Sequence, residues 1–402
     1  MIQITNPKDC CGCTACASIC AHRAISMEPD KEGFLYPIID VNSCTNCGLC
    51  ETVCPILQRK GQKLLPNQIQ YKALRLKDKR LLMKSSSGGA FIAIATFVID
   101  QGGIVCGAKY TNETVVVHDF AETKREIEEF MGSKYSQSDI RGIFPKIKAY
   151  LKAGRLVLFT GTPCQVQGLN LYLRKKYNNL LTADLICHAV PSPLIFKDYI
   201  SYCSTILGSP IKKIDMRYKE KYGWSHKYAY RFQLKDGTAI VDPKKIENWG
   251  KLFFSQLIDR PSCHECKFTN YNRCGDLTIA DYWDDNNKRT DIYSREGTSL
   301  CLVNTQKGEQ ILKDIDNTII SWNISKEETE QPRLLRATPV NPQRDEFWKY
   351  YLRYGFAKSY KKYFTLSPLN RIKKNVKLKI KDFLGEKKVK TIKALISSDK
   401  HI

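Results

Sequence analysis

The chain has 402 residues, 43% hydrophobic and 26% charged, which supports a packed core of two or three domains and excludes disordered and collagen-like chains. Lys and Arg number 64 against 41 Asp and Glu, a net charge of +23, and the 17 Cys, an odd number, do not all pair as disulfides. Met1 to Lys8 is polar with no apolar leader core, and the longest apolar run, Ala90 to Ile99, is about half the ~20 residues a membrane span needs. A leaderless, cysteine-rich chain of this kind is expected to be a cytoplasmic metal or redox protein.

Nine of the cysteines fall in the first 54 residues. Cys10, Cys13, Cys16 and Cys20 recur 34 positions later as Cys44, Cys47, Cys50 and Cys54, each set reading C-x2-C-x2-C-x3-C and the second followed by Pro55. This is the run of a bacterial two-cluster ferredoxin, in which three close thiolates hold one [4Fe–4S] cubane and the fourth ligates the other. By that crossing rule Cys10, Cys13, Cys16 and Cys54 hold one cluster, and Cys44, Cys47, Cys50 and Cys20 the second. Zinc sites pair C-x2-C motifs across a longer loop and fit this spacing poorly. Ala21 stands where a proline is usual, and Cys11, outside the 34-residue register, is read as a non-ligand. Gly12 and Gly48 sit where the backbone approaches the inorganic sulfide. The module, residues 1–60, resembles bacterial ferredoxins. With 3 Lys/Arg against 6 Asp/Glu over residues 1–58 it is acidic, which suits a basic electron partner or simply a solvated face.

Arg59 to Asn67 reads as a linker. Ser85-Ser86-Ser87-Gly88-Gly89 then opens the apolar segment Ala90–Asp100, a weak anion-site signal, since free N–H groups at a helix start face a ligand. Arg155–Phe159 is expected to be a buried strand turning through Thr160-Gly161-Thr162-Pro163 into a helix over Cys164–Tyr177. Cys164 at that helix start is expected to favour thiolate. A second strand, Leu180–Ile186, ends at Cys187-His188, so both cysteines lie at carboxyl ends of strands, where α/β sheets place ligands. Further on, Cys263 and Cys266 form another C-x2-C pair, with Cys274 eight residues later. Three readings stay open on spacing alone: a third [4Fe–4S] site on Cys164, Cys187, Cys263 and Cys266, a zinc knuckle on Cys263, Cys266 and Cys274, or buried free thiols. Asp281, Tyr282 and Trp283 follow the strand Leu277–Ala280.

Five ordered blocks carry a resemblance: SSGGA (86–90), GSKYSQSDI (132–140), FTGTPCQVQGL (159–169), DLICHAVPSP (184–193) and PSCHECKFTNYNRCGDLTIADYW (261–283). Over roughly residues 68–320 the chain resembles the family of coenzyme F420 hydrogenase/dehydrogenase beta subunits, iron–sulfur flavoproteins that bind FAD. The resemblance implies flavin contacts at Ser86, Ser87, Gly88 and Gly89, at Lys134, Tyr135, Gln137 and Ser138, and at Gly161 and Thr162. It favours the third cluster on Cys164, Cys187, Cys263 and Cys266, with Cys274 either incidental or an alternative that leaves the fourth ligand open. Lys134, Tyr135 and His188 are the candidate catalytic residues: Lys134 to hold negative charge on the flavin or a phosphate, Tyr135 and His188 to move protons. A surface lysine and a structural histidine are the plainer alternatives.

After residue 350 the chain turns lysine-rich, with 14 Lys/Arg against 3 acids over residues 356–402. Ile372, Val376, Ile380, Phe383 and Leu384 fall on one helical stripe, which suits a peripheral packed helix, an anionic membrane surface or an acidic partner. Charge alone does not indicate nucleic acid, since no stacking motif or recognition helix accompanies it. The expected fold is α+β: a two-cluster ferredoxin-like module (1–60), an α/β flavin domain (61–350) and a basic helical tail (351–402). The expected function is electron transfer between a ferredoxin or other low-potential donor, the clusters, FAD and an organic substrate. The family's substrates include the deazaflavin F420, and some members are linked with surface-polysaccharide synthesis. A non-catalytic relay component of a larger hydrogenase or dehydrogenase complex, and a membrane-surface or assembly protein with structural clusters, are the rival classes.

Overall fold

A computed structural model of the chain describes residues 1–58, 69–111, 114–224, 229–243, 246, 249–283, 289–329 and 331–365. The linker expected at 59–67 and the apolar stripe of the tail lie outside the described residues. The chain divides into two compact units, Met1–Trp348 and Lys349–Ile402. The described part of the second belongs to the helix Arg344–Phe364, interrupted at Gly355, whose φ of 78° no helix interior adopts. Among the described residues no helix is long and apolar enough to cross a membrane.

The first unit opens with a ferredoxin-like head. Two short helices, Ala15–Ile19 and Leu49–Thr52, follow the two cysteine loops at equivalent places of the 34-residue repeat. Both loops turn through left-handed backbone, Gly12 at φ 70° and Gly48 at φ 75°, which glycine adopts without steric cost. Between them an antiparallel hairpin pairs Ile25–Pro29 with Leu35–Ile39.

The body is a mixed eight-stranded sheet. Its spatial order is Ile319–Ile324, Gln70–Leu76, Ser299–Val303, Leu277–Asp281, Leu180–Leu185, Val157–Gly161, Ile104–Tyr110 and Val116–Ala121. The four strands from Leu277–Asp281 to Ile104–Tyr110 run parallel, and the flanking pairings are antiparallel. Parallel strands are buried on both faces, as the apolar runs of Val157–Phe159 and Leu180–Leu181 require. The helix Ala90–Asp100 packs its Ile92, Ile94 and Val98 on one side of this sheet. On the other, Ile143–Lys152 and Pro163–Leu173 form the floor on which the head rests.

Head and body share one core. Cys13, Ala15, Val53 and Ile56 of the head are buried in the same cluster as Phe144, Phe159, Val166, Leu169 and Tyr172 of the body. Gly168 makes the approach close: a Cβ there would lie 3.0 Å from the Cβ and Sγ of Cys13. A separate three-stranded sheet pairs Ile211–Asp215, Arg231–Leu234 and Ala239–Val241.

Candidate redox site

None of the 17 cysteines is in a disulfide. In the head they gather in two groups that follow the crossing pattern. The buried Cys16 thiol is pushed up to about 12 by burial and then by the neighbouring Cys10 and Cys54 thiols, so the last cysteine of the second motif sits with the first motif. Cys54 is raised by burial, with Cys10 among its neighbours. The outer group, Cys20, Cys44, Cys47 and Cys50, lines one small cavity together with His22, Ile25 and Ile39. Cys47 is exposed and Cys50 buried, so this group faces solvent on one side. Thiols gathered in this way are the donor set of a cationic iron cluster, and both groups fit one.

Cys11 is in neither group. It is buried in hydrogen-bonding contact with Cys13 of the head and Cys164 of the body. Cys164 follows Pro163 at the start of the helix Pro163–Leu173, and its Sγ lies 3.2 Å from Thr162 Oγ1. Its thiol is nevertheless held well above the ordinary value, first by the Cys11 contact and then by burial. This corrects the expectation of a thiolate there: with no cation bound, a non-local contact outweighs the helix dipole.

Four of the body's cysteines, Cys164, Cys187, Cys263 and Cys266, are near neighbours, although among the described residues no three His, Cys, Asp or Glu are spaced to hold a single metal ion. Cys187 is raised by burial and by the nearby Cys164 and Cys266, and Cys263 by burial and by Cys187 and Cys266. The loop carrying Cys263 and Cys266 is anchored to the strand Leu180–Leu185 by a fully buried ion pair, Arg273 Nη2 to Asp184 Oδ1 at 2.7 Å. Asp184 Oδ2 also accepts from the backbone N–H of Cys274 and Gly275, at 3.1 and 3.0 Å. Cys274 thus has its backbone tied to the sheet, and its carbonyl accepts from Asn170. Asp259, fully buried beside Cys187 and Cys263, has both carboxyl oxygens without a partner, and burial raises its pKa to about 7.

A cavity of about 410 Å³ opens at the carboxyl ends of the parallel strands. Ser86, Ser87, Gly89, Lys134, Tyr135, Ser138, Gly161, Thr162 and His188 all line it, with Asp281 and Trp283. Two expected residues stand apart. Gly88 is pinned between strands, where a Cβ would lie 2.3 Å from Ser299 N and 2.4 Å from Leu74 O. Gln137 turns toward the head, its Nε2 donating to Cys11 O at 3.1 Å.

Lys134 Nζ donates to Glu129 O and Met131 O at 3.0 and 2.8 Å, and burial lowers its pKa to about 7. Burial likewise lowers His188 to about 4; its ring packs on Phe253 and Phe254, and its Nε2 is unpartnered. The Ser86 hydroxyl accepts from Ser133 at 2.8 Å, and Ser138 accepts from Gln165 at 3.1 Å. Buried Lys219 donates to Ser87 O at 2.9 Å and to Leu82 O and Glu296 O, and so fixes the serine loop from behind.

Several lining groups escape a reading of motifs. His118 lines the cavity with Nε2 2.9 Å from Thr160 O and Nδ1 unpartnered. Arg217, bound to Asp281, and Arg333 add positive charge. Asp184 and Arg273, which anchor the cysteine loop rather than line the cavity, lie inside the sequence blocks 184–193 and 261–283. Unpartnered buried ring nitrogens, serine hydroxyls and cations around a largely apolar chamber fit a flavin with its phosphates, and the volume lies in the ~300–1,000 Å³ range of cofactor clefts.

Comparison with known proteins bears on the head and on part of the body. The model of the 4Fe-4S dicluster domain matches residues 9–56. The model of the carboxyl-terminal region of the coenzyme F420 hydrogenase/dehydrogenase beta subunit matches residues 154–326. The F component of the F(420)H(2) dehydrogenase of Methanosarcina mazei is 25% identical over 192 residues, 44% of this chain. The match spans 53% of that relative, about half its length. A chain of the F420-reducing [NiFe] hydrogenase complex of Methanosarcina barkeri aligns over 75% of this chain and 93% of its own, with 19% identity and a TM-score of 0.46. The chain thus carries a 4Fe–4S dicluster domain over residues 9–56 and, over residues 154–326, a domain that matches the carboxyl-terminal region of the coenzyme F420 hydrogenase/dehydrogenase beta subunit.

Proposed function

We propose that the protein is an iron–sulfur flavoprotein oxidoreductase that moves electrons between a low-potential donor such as ferredoxin and an organic acceptor, through two head clusters, a third cluster on Cys164, Cys187, Cys263 and Cys266, and FAD in the cavity. One observation carries this reading: Cys187 belongs to the body thiol group and also lines the cavity. The thiol groups are likewise contiguous, since Cys11 touches both Cys13 and Cys164. A flavin bound there supplies the exchange between paired and single electrons.

Around it, Ser86, Ser87 and the Gly161-Thr162 turn bind, and Lys134 and Arg333 supply positive charge. His188, neutral at pH 7, is placed to accept a proton and Tyr135 to hand one over. Buried Phe253 walls the chamber against water. The named relative is one component of an F(420)H(2) dehydrogenase, which makes a deazaflavin one candidate organic partner, as donor when reduced or acceptor when oxidised, and favours a larger complex as the setting for the same relay.

Anaerobic mixing with a reduced low-potential donor tests the reading. Flavin absorbance bleaches in the wild type and bleaches at least tenfold more slowly in Cys13→Ala, while a flavin-free protein, or equal rates in the two, contradicts it.

A further inference from the structure

Among the described residues of the first unit, Arg260 is the most completely buried cation, with none of its surface exposed. Its described hydrogen bonds all run to neutral oxygens. Nε donates to Cys10 O at 2.7 Å, Nη1 to Gln137 Oε1 at 3.1 Å, and Nη2 to Leu35 O at 2.9 Å. The guanidinium also lies over the rings of Tyr36 and Phe34, at 4.4 and 5.4 Å. Gly12 is a glycine against it, for a Cβ there would lie 2.8 Å from Nη1. Arg260 therefore plugs the loop of the inner cysteine group from the body side.

Burying a guanidinium is costly unless an anion faces it, and Arg is not deprotonated in proteins. The groups acting most strongly on Arg260 are the thiols of Cys10, Cys11 and Cys263 and the phenol of Tyr36, with no carboxylate among them. The counter-charge it lacks among those groups is what thiolate-bound clusters provide. Each electron added to a cluster makes it more negative, so a fixed positive charge in a low-dielectric setting favours the reduced form.

We propose that Arg260 sets the order of reduction potentials in the head: its guanidinium raises the cluster of Cys10, Cys13, Cys16 and Cys54 above the outer cluster of Cys20, Cys44, Cys47 and Cys50. Electrons entering at the exposed Cys47 loop then run inward, toward Cys164 and Cys263. Each step oxidises the outer cluster and reduces the inner one by one electron, with no bond made or broken. The assignment rests on the head carrying two clusters.

An EPR-monitored redox titration of the anaerobically purified full chain tests it, with Cys47→Ser marking the outer signal and iron analysis alongside. At the potential where the wild-type inner cluster is half reduced, Arg260→Gln lowers its reduced-to-oxidised ratio at least tenfold, a 59 mV shift for a one-electron couple, and leaves the outer cluster unmoved. Arg260→Lys, which keeps the charge, restores most of the ratio. Gln137→Glu, which leaves the guanidinium in place but sets a carboxylate against it, shifts the inner cluster the same way, and decides the matter if Arg260→Gln loses iron. A loaded Gln137→Glu or Arg260→Gln that titrates as wild type, or that moves both clusters equally, overturns the proposal. A wild-type head without iron sinks the cluster reading itself, and the iron analysis tells that failure apart.

Discussion

Lys134 is an ammonium in the wrong place for an ammonium. Burial, and the like charge of Lys213, lower its pKa from 10.5 to about 7. The unfolded chain therefore binds more protons at this position between about pH 7 and pH 10, and folding stability rises with pH across that window. Lys134→Met removes the dependence. Urea unfolding at pH 7 and pH 9.5 should show the wild type gaining at least ~1 kcal/mol more than the variant over that interval, and parallel pH profiles would contradict the assignment. Lys219 is lowered to about 7 in the same way, chiefly by burial, so it contributes equally to both proteins and cancels. The charge of Lys134 is also what an anionic ligand in the cavity would restore.

The loop from Pro261 to Asp276 holds three of the body's cysteines, Cys263, Cys266 and Cys274, and one ion pair holds the loop. Arg273 and Asp184 are both fully buried at the side chain, so removing one leaves the other charged and unpaired. Arg273→Met is expected to cost ~3–5 kcal/mol in chemical denaturation and to empty the site at Cys263 and Cys266. A loss under 1 kcal/mol would mean that Cys274, Gly275 and Thr182 tie the loop without it. The strand–turn–helix unit beside this loop was largely legible in sequence: Val157–Gly161 and Pro163–Leu173 stand where the apolar run and Pro163 place them. The helix stops at Leu173 rather than Tyr177 because Arg174 turns left-handed, at φ 57°, which no spacing rule announces. The thiol of Cys164 was misjudged for a similar reason. Its helix position is local, but the Cys11 thiol that opposes its ionisation comes from a segment 153 residues away.

The head and body behave as one folded unit rather than a tethered pair, because their side chains fill a common core. The 34-residue cysteine register made the head readable, and strand-end cysteines made the body group foreseeable. The seam between them was not readable, since it is written in single residues: Gly168 under Cys13, Gln137 on Cys11, Arg260 on Cys10. Gly168→Leu forces bulk into that seam and should cost ~1–3 kcal/mol by overpacking. It should also slow flavin reduction by an external donor while leaving the flavin content unchanged; unaltered transfer rates would show that the seam is not the electron path.

The central claim is that three thiol groups and one cavity serve as a single relay. Iron, sulfide and acid-released flavin, counted per chain after anaerobic purification, test it most directly. The account predicts about twelve irons, four for each of three cubanes, with one FAD. Cys263→Ala should bring the iron to about eight with the FAD retained. About eight irons and no flavin in the wild type would contradict it, leaving a ferredoxin-like head on a body whose cysteines are structural.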